Sequence, residues 1–408
     1  MADPTTAARL TPRLLVVATL AGALAGVGGV LLTLLLHLVQ HLAFGYTEAT
    51  FLTGVERASN LRRILALTIG GVVVGSGWWA LRRWQPPVDP VEKILEAGGR
   101  PAIGRTTAEG VLQIAAVGFG ASLGREGAPR LVGAALAGWL ADLMRLPARQ
   151  RRTILACGAG AGLACVYNVP LGGAVFTLEV LLVSAAAADV LPALLSAAVA
   201  TAIGWPLLGD DPTYAVPGQS LHTPELLLAV ILGPVAGLVG GGLRAYAAAC
   251  RRWAPSGWGL PLVVTVGFGL LGVAAIAYPA LLGNGKGLAQ LAFDGQLAIS
   301  AAVVLLILKP AVTGAMLATG ANGGLLTPAL ATGAVLGALG GEGLTQLWPG
   351  SPIAACALIG AAAVLAAAQR APLCAVVLVM ELSGTGLALL VPIGLAVALA
   401  AAVGRAIA

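Results

Sequence analysis

The sequence predicts an all-α, multi-pass membrane protein built from an internal repeat of full and partial helices. Three observations predict it. The chain holds 58% hydrophobic and 10% charged residues over 408 positions, with a mean hydropathy of +0.94, whereas soluble domains carry about 25% charged residues. Apolar stretches follow one another almost end to end, at 14–44, 64–81, 111–122, 131–144, 154–186, 190–208, 225–249, 260–282, 297–319, 328–348 and 352–403. The same sentence is written twice. GASLGREGAPRLVGAALAG (120–138) aligns with GANGGLLTPALATGAVLGA (320–338), and GAGAGLACVYNVPLGGAVFTLE (158–179) with GAAAVLAAAQRAPLCAVVLVME (360–381).

The copies match at Gly120/Gly320, Gly124/Gly324, Gly133/Gly333, Gly158/Gly360, Pro170/Pro372 and Glu179/Glu381, so the offset drifts only from 200 to 202. Two membrane halves follow, 1–220 and 221–408, with no stretch left for a soluble regulatory domain. A helix needs about 20 residues to cross the hydrocarbon. Segments 111–122 and 131–144, bounded by Gly, Arg and Pro, are therefore expected to be half-spans, and broken backbone at that depth is tolerated only where protein buries it or it lines a wet cavity. Gly/Pro-interrupted segments at matching places in two halves point to a substrate site at the repeat interface.

The formal charge of +6 does not suit nucleic-acid binding, because the arginines punctuate apolar segments and form no basic face. By the positive-inside rule Arg9, Arg13, Arg82, Arg83, Arg145, Arg149, Arg151 and Arg152 mark the cytoplasmic side, with Trp78, Trp79 and Trp84 as an aromatic belt. The opening apolar run is too long for a signal peptide and is expected to stay as a helix. Five cysteines (157, 165, 250, 356, 374) lack CxxC spacing and lie in apolar runs, so they are expected to be inert. His37 and His41 stand at i, i+4 without an acidic or sulfur companion, which favours an interfacial pair over a metal site. No cofactor is expected.

Ionisable residues within apolar segments are functional candidates by default, here Glu126, Glu179, Lys309, Arg370 and Glu381. Glu126 stands out. Ser122-Leu-Gly-Arg-Glu126-Gly-Ala-Pro129 has the grammar of a loop entering a helix, with glycines for close backbone approach and proline in the first turn. Unpaired N–H groups and the positive dipole end make such a start an anion site. The second copy supplies another start at Gly323-Gly-Leu-Leu-Thr-Pro328, without an acid. If the halves are antiparallel the two starts converge near the midplane, and a mobile anion competes with the Glu126 carboxylate for the same donors. The plainer alternative has Glu126 capping its own helix beside Arg125. Glu179 and Glu381, at equivalent helix ends, are expected to be structural, with Lys309 and Arg370 pairing with them or snorkelling. Gly22-x-x-x-Gly26 and Gly333-x-x-x-Gly337 are candidate packing faces.

At Gly124-Arg-Glu-Gly127 the chain resembles the CLC family of chloride channels and proton-coupled chloride exchangers, whose GREGP element carries a gating glutamate. Gly324-Leu-Leu-Thr-Pro328 resembles the family's GIFAP-like element and Asn168-Val-Pro-Leu-Gly-Gly its NxPLxG segment. Gly283-Asn-Gly285 and Lys309-Pro-Ala-Val-Thr313 fit its second half. The resemblance covers about 64–400. It implies a CLC-like inverted-topology repeat with full and re-entrant half helices, and a homodimer with one pore per subunit in the plasma (inner) membrane. It further implies chloride as the transported partner, amides of Leu325 and Leu326 cradling the anion beside Gly124, Arg125, Gly127, Gly324 and Thr327, and Glu126 as gate.

The chain departs from the family in four places. Where GSGIP is expected, Gln85-Pro-Pro-Val-Asp-Pro90 carries proline in the serine position. Val180 follows Glu179 where exchangers hold a proton-relay glutamate. The helix bearing the family's central tyrosine is not reached by Ala408, and Ala128 is inserted before the motif proline. Passive chloride conductance is thus favoured slightly over proton exchange, with fluoride export by the same fold as a further alternative. A cation-coupled solute transporter using Glu126, Glu179 and Glu381 is the rival from another class, disfavoured because helix N-termini suit anions. An enzyme is disfavoured because no histidine lies near Ser122.

Overall fold

The computed structural model describes residues 10–47, 50–216 and 223–407. Arg9, His222 and the boundary expected at 220/221 lie outside the described residues. Helices make up the fold, and among the described residues the pairing of extended backbone is one isolated bridge.

In chain order, α1 (Pro12–Phe44) is followed by α2 (Phe51–Arg57) and α3 (Asn60–Arg82). Thr50 and Ser59 cap the latter two by accepting from the Thr53 and Arg62 amides, each satisfying one orphan N–H of a helix start. Then come α4 (Val91–Glu96), α5 (Ile103–Gly118), α6 (Gly127–Leu143), α7 (Ala148–Tyr167) and α8 (Pro170–Phe176). The last runs into a π turn at Thr177–Leu182, before α9 (Ala187–Leu208). The remainder holds α10 (Thr223–Arg251), α11 (Gly259–Ala277), α12 (Lys286–Phe293), α13 (Ile299–Ala318), α14 (Leu326–Leu347), α15 (Ile353–Gln369), α16 (Pro372–Ser383) and α17 (Leu390–Ala406).

Seven helices among the described residues are long and apolar enough to cross a membrane: α1, α3, α9, α10, α11, α13 and α17. The protein is an integral, multi-pass membrane protein. At 16 and 17 residues, α5 and α6 reach only about 24 and 26 Å, short of the about 30 Å hydrocarbon core. The apolar run at 111–122 misjudged α5 at both ends. The helix starts at Ile103 and its early turns bury Thr106 and Glu109, so a count of apolar residues misses them.

The chain gathers into two compact units. One comprises the residues up to Leu34, Pro87–Val111 and Gly127–Thr213. In it α6 crosses α7 so closely that a Cβ on Gly133 would strike the Gly158 carbonyl. The Gly22/Gly26 face of α1 lies against the backbone of Ser196 and Ala200 in α9. A fully buried Asp189 side chain accepts from Arg149 at 2.5 Å, Thr153 at 2.7 Å and Ser184 at 2.7 Å. It thereby anchors the chain where it leaves the π turn.

The other unit comprises Leu35–Pro86, Leu112–Glu126 and the residues from Tyr214 onward. Here α14 crosses α15 with a Cβ on Gly333 striking the Gly360 carbonyl, the same contact as Gly133 on Gly158, one repeat later. Trp78 is fully buried and so does not belong to an interfacial belt. The ring that meets the Trp79 ring is that of Trp258, 4.1 Å between centroids, with the Arg83 guanidinium 5.2 Å from Trp79.

The repeat is visible in dihedral angles. α7 ends at Asn168 and α15 at Arg370, both left-handed with φ 55°. The next residues, Val169 and Ala371, have φ of −132° and −130°, and proline then starts the following helix. Beyond that point the copies part. Glu381 lies in α16, whereas Glu179 lies in the π turn, a feature that sequence periodicity does not carry.

Candidate functional site

The segments between α5 and α6 and between α13 and α14 both turn on a glycine with positive φ, Gly120 at 104° and Gly320 at 90°. They then run antiparallel. Gly124 N–H donates to Gly324 O at 2.9 Å and Gly324 N–H to Gly124 O at 2.9 Å. Two residues further on, the amide of Leu326, the first residue of α14, donates to Glu126 Oε1 at 2.6 Å. Such an amide has no partner within its own helix, and Leu325 in the cap position offers no side-chain acceptor. Glu126, which is 1% exposed, caps the helix start of the other copy.

The glycines of the motif follow from where this carboxylate lies. A Cβ on Gly324 would overlap Glu126 Oε1, and one on Gly124 would overlap both carboxylate oxygens. Gly127 opens α6, and Thr327, 2% exposed, is the second residue of α14. Arg125 is half-buried beside the carboxylate in sequence.

Cations brace both segments, the first through the Ser122 hydroxyl and the second through two carbonyls. Lys309 is fully buried and donates to Ser122 Oγ at 2.8 Å, Leu281 O at 2.9 Å and Gly283 O at 2.8 Å. Gly283 N–H in turn donates to Gly120 O at 2.9 Å. On the second segment Arg82 donates to Gly320 O at 2.9 Å and Arg251 to Gly323 O at 3.1 Å. Lys309 therefore neither snorkels nor pairs with Glu179 or Glu381, because α13 holds it inside the unit with three oxygen acceptors in reach. Arg370 does not pair with them either. It is an exposed left-handed helix cap and takes part in none of the ion pairs among the described residues.

The remaining candidates fall elsewhere. Val180 sits half-buried in the π turn after Glu179. Gln85, Pro86 and Pro87 are exposed irregular chain ahead of α4. His37 and His41 stack with centroids 6.3 Å apart, and His41 meets the Tyr46 ring edge-on at 4.7 Å. Burial pushes the Tyr46 phenol up to about 12, so its O–H stays in place to donate to Gln40 Oε1 at 3.3 Å. Four of the five cysteines are buried, and none of the five forms a disulfide.

Sequence reasoning missed the Ser122–Lys309–Thr313 cluster, in which the Ser122 and Thr313 hydroxyls lie 3.3 Å apart, and the carbonyl bracing by Arg82 and Arg251. A lysine and a threonine four residues apart on one helix face were the available signal. Their partner Ser122, 187 residues from Lys309, was not.

The site thus lies in an integral membrane fold of duplicated, partly short helices, with a buried carboxylate on a helix amide. The family described as voltage gated chloride channel matches residues 70–405, and the chain belongs to this CLC family, whose members carry anions across membranes. A ClcB-like chloride channel protein of Ralstonia nicotianae is 31% identical over 336 residues, 79% of this chain and 77% of its own. Among solved structures, a slow cyanobacterial Cl⁻/H⁺ antiporter superposes with a TM-score of 0.86 at 22% identity, covering 98% of this chain and 95% of its own. A CLC-type fluoride/proton antiporter gives 0.75 at 22% identity, with 98% of each chain covered. These two likenesses concern the fold.

Proposed function

We propose that the protein conducts chloride passively through a site at the start of α14, with the Glu126 carboxylate as a gate that occupies the site until an anion or a proton displaces it. The hydrogen bond from the Leu326 amide to Glu126 Oε1 carries this reading. An uncapped helix start favours negative charge, and a carboxylate seated there stands in for the anion. Protonation removes the carboxylate's charge and its claim on the amide, so anion access rises with acidity. Passive conduction is preferred to obligate exchange because Val180 offers no ionisable group after Glu179. Chloride is preferred to other anions on the strength of the relatives' names. The same reading has the chain as a homodimer in the plasma (inner) membrane.

The test is chloride efflux from liposomes holding purified protein, with and without an imposed pH gradient. Efflux that ignores the proton gradient, with chloride preferred over glutamate or isethionate, supports the reading. Efflux that drives protons uphill makes the protein an exchanger. Absence of selectivity over the large anions ends the anion-transport reading.

A further inference from the structure

Lys309 Nζ has three protons, and three oxygens take them: Ser122 Oγ, Leu281 O and Gly283 O, at 2.8–2.9 Å. All three acceptors are neutral. Three arginines of the other unit are matched by acids, Arg149 by Asp189, Arg151 by Asp142 and Arg130 by Glu92, whereas buried Arg63 donates, like Lys309, to neutral oxygens, the carbonyls of Val55, Glu56 and Ala275. Among the described ion pairs Lys309 has no such match, although its side chain is entirely enclosed. A buried charge without a counter-ion is costly, and the dipoles of a hydroxyl and two carbonyls offset only part of that.

The lysine is also next to the site. Ser122 stands four residues before Glu126 on the same segment, and Gly283, which accepts from Lys309, donates to Gly120 on that segment. At Gly285, with φ 103°, a Cβ would lie 3.3 Å from Lys309 Cε and 3.5 Å from Thr327 O in the first turn of α14. The lysine stem and the first turn of α14 therefore both border the space a Gly285 side chain would take. At the repeat-equivalent position, 200 residues earlier, stands Glu109. The positive charge is therefore particular to the second copy.

We propose that Lys309 is the fixed countercharge of the anion site: its buried ammonium is balanced by whichever negative group sits at Leu326, the Glu126 carboxylate or the transported anion, and so sets how tightly that anion is held. It acts through space and through Ser122 and Gly283, as a positioning residue without contact to the ion. This inference rests on the transport reading above. It differs from a purely structural role in one respect, the dependence of its effect on the charge of Glu126. While Glu126 is ionised, Lys309 favours both occupants and its removal largely cancels in their competition. Once Glu126 is neutral, Lys309 favours the mobile anion alone.

The experiment is calorimetric chloride titration of purified Glu126→Gln and Glu126→Gln/Lys309→Met proteins, alongside wild type and Lys309→Met. In the Glu126→Gln background, loss of the lysine is expected to weaken chloride binding about tenfold or more, as befits two unit charges within a partly buried site. In the wild-type background the same change is expected to shift it by less. Lys309→Arg is expected to bind chloride within about threefold of wild type, since the charge remains. If the Met variant does not fold, Lys309→Gln, which keeps two N–H donors and drops the charge, replaces it. Equal affinities of the folded Glu126→Gln and double-variant proteins overturn the inference alone. So does an equal loss in both backgrounds, which marks a structural lysine. Failure of wild type and Glu126→Gln alike to bind chloride overturns the transport reading and this inference with it.

Discussion

Gly124 and Gly324 hold each other by a reciprocal pair of 2.9 Å hydrogen bonds, each amide on the other's carbonyl. The bridge is antiparallel, so pairing alone does not set Glu126 opposite Leu326; the Glu126 carboxylate folds back over Gly124 and Gly324. There the acid of one copy meets the open helix start of the other at 2.6 Å.

Replacing the acid tests this meeting directly. In Glu126→Gln the side chain keeps its size and loses its charge permanently. Chloride efflux is expected to be several-fold faster than wild type at neutral pH and nearly flat with pH, whereas wild-type efflux rises as pH falls. Efflux from liposomes at a series of external pH values measures it. A pH dependence identical to wild type would reduce Glu126 to a helix cap.

The glycine opposite gives a second route to the same state without touching the acid. A methyl on Gly324 occupies the space of Glu126 Oε1, so the carboxylate has to leave that position. Gly324→Ala is expected to displace the carboxylate from the Leu326 amide and to lose pH sensitivity although Glu126 is present. The comparison is the pH profile of Gly324→Ala beside that of Glu126→Gln. A wild-type profile in the alanine variant would place the carboxylate elsewhere in the working protein.

In the other unit the Asp189 network predicts a loss of stability without a change of selectivity. Its carboxylate collects three donors with no exposure of its own, while Arg149 is 38% exposed. Breaking a buried ion pair costs about 3–5 kcal/mol, and water around Arg149 screens part of it. Asp189→Asn also turns N–H donors toward donors. A decrease of about 2 kcal/mol is expected, read from unfolding in detergent, with anion preference in liposomes unchanged.

Arg370 predicts the opposite sign. It holds a left-handed conformation at φ 55°, is exposed and makes none of the described ion pairs. An L side chain in that region costs about 1 kcal/mol, which glycine avoids. Arg370→Gly is expected to unfold at a higher temperature than wild type. Asn168→Gly is not, because Asn168 donates to Asp210 O at 2.7 Å and accepts from the Trp205 indole at 2.9 Å. A lower unfolding temperature for Arg370→Gly would mean that its side chain stabilises the helix end.

The repeat and the multi-pass membrane class were legible because glycine, proline and charge punctuate an otherwise uniform apolar text, and the same punctuation singled out Glu126 and the second helix start as candidates. Other features were not. The burial of Trp78 was hidden because an arginine-flanked tryptophan at a helix end has the same sequence signature at an interface and in a core. The π turn at Glu179 was hidden because one extra residue per turn leaves no trace in a six-residue apolar run. Lys309 was misjudged because snorkelling and burial differ only in what surrounds the helix, and its three acceptors come from segments 26 to 187 residues away.

The twin crossings of Gly133 on Gly158 and Gly333 on Gly360 set a limit on how this chain can diverge. At each, two backbones touch where a single added carbon has nowhere to go, so neither member can change without its partner helix moving away. Lipid-facing positions between them are released from that constraint and can drift independently in the two copies. Ancestry in this protein should therefore be sought in its hydrogens, at the four places where evolution has been denied a methyl group.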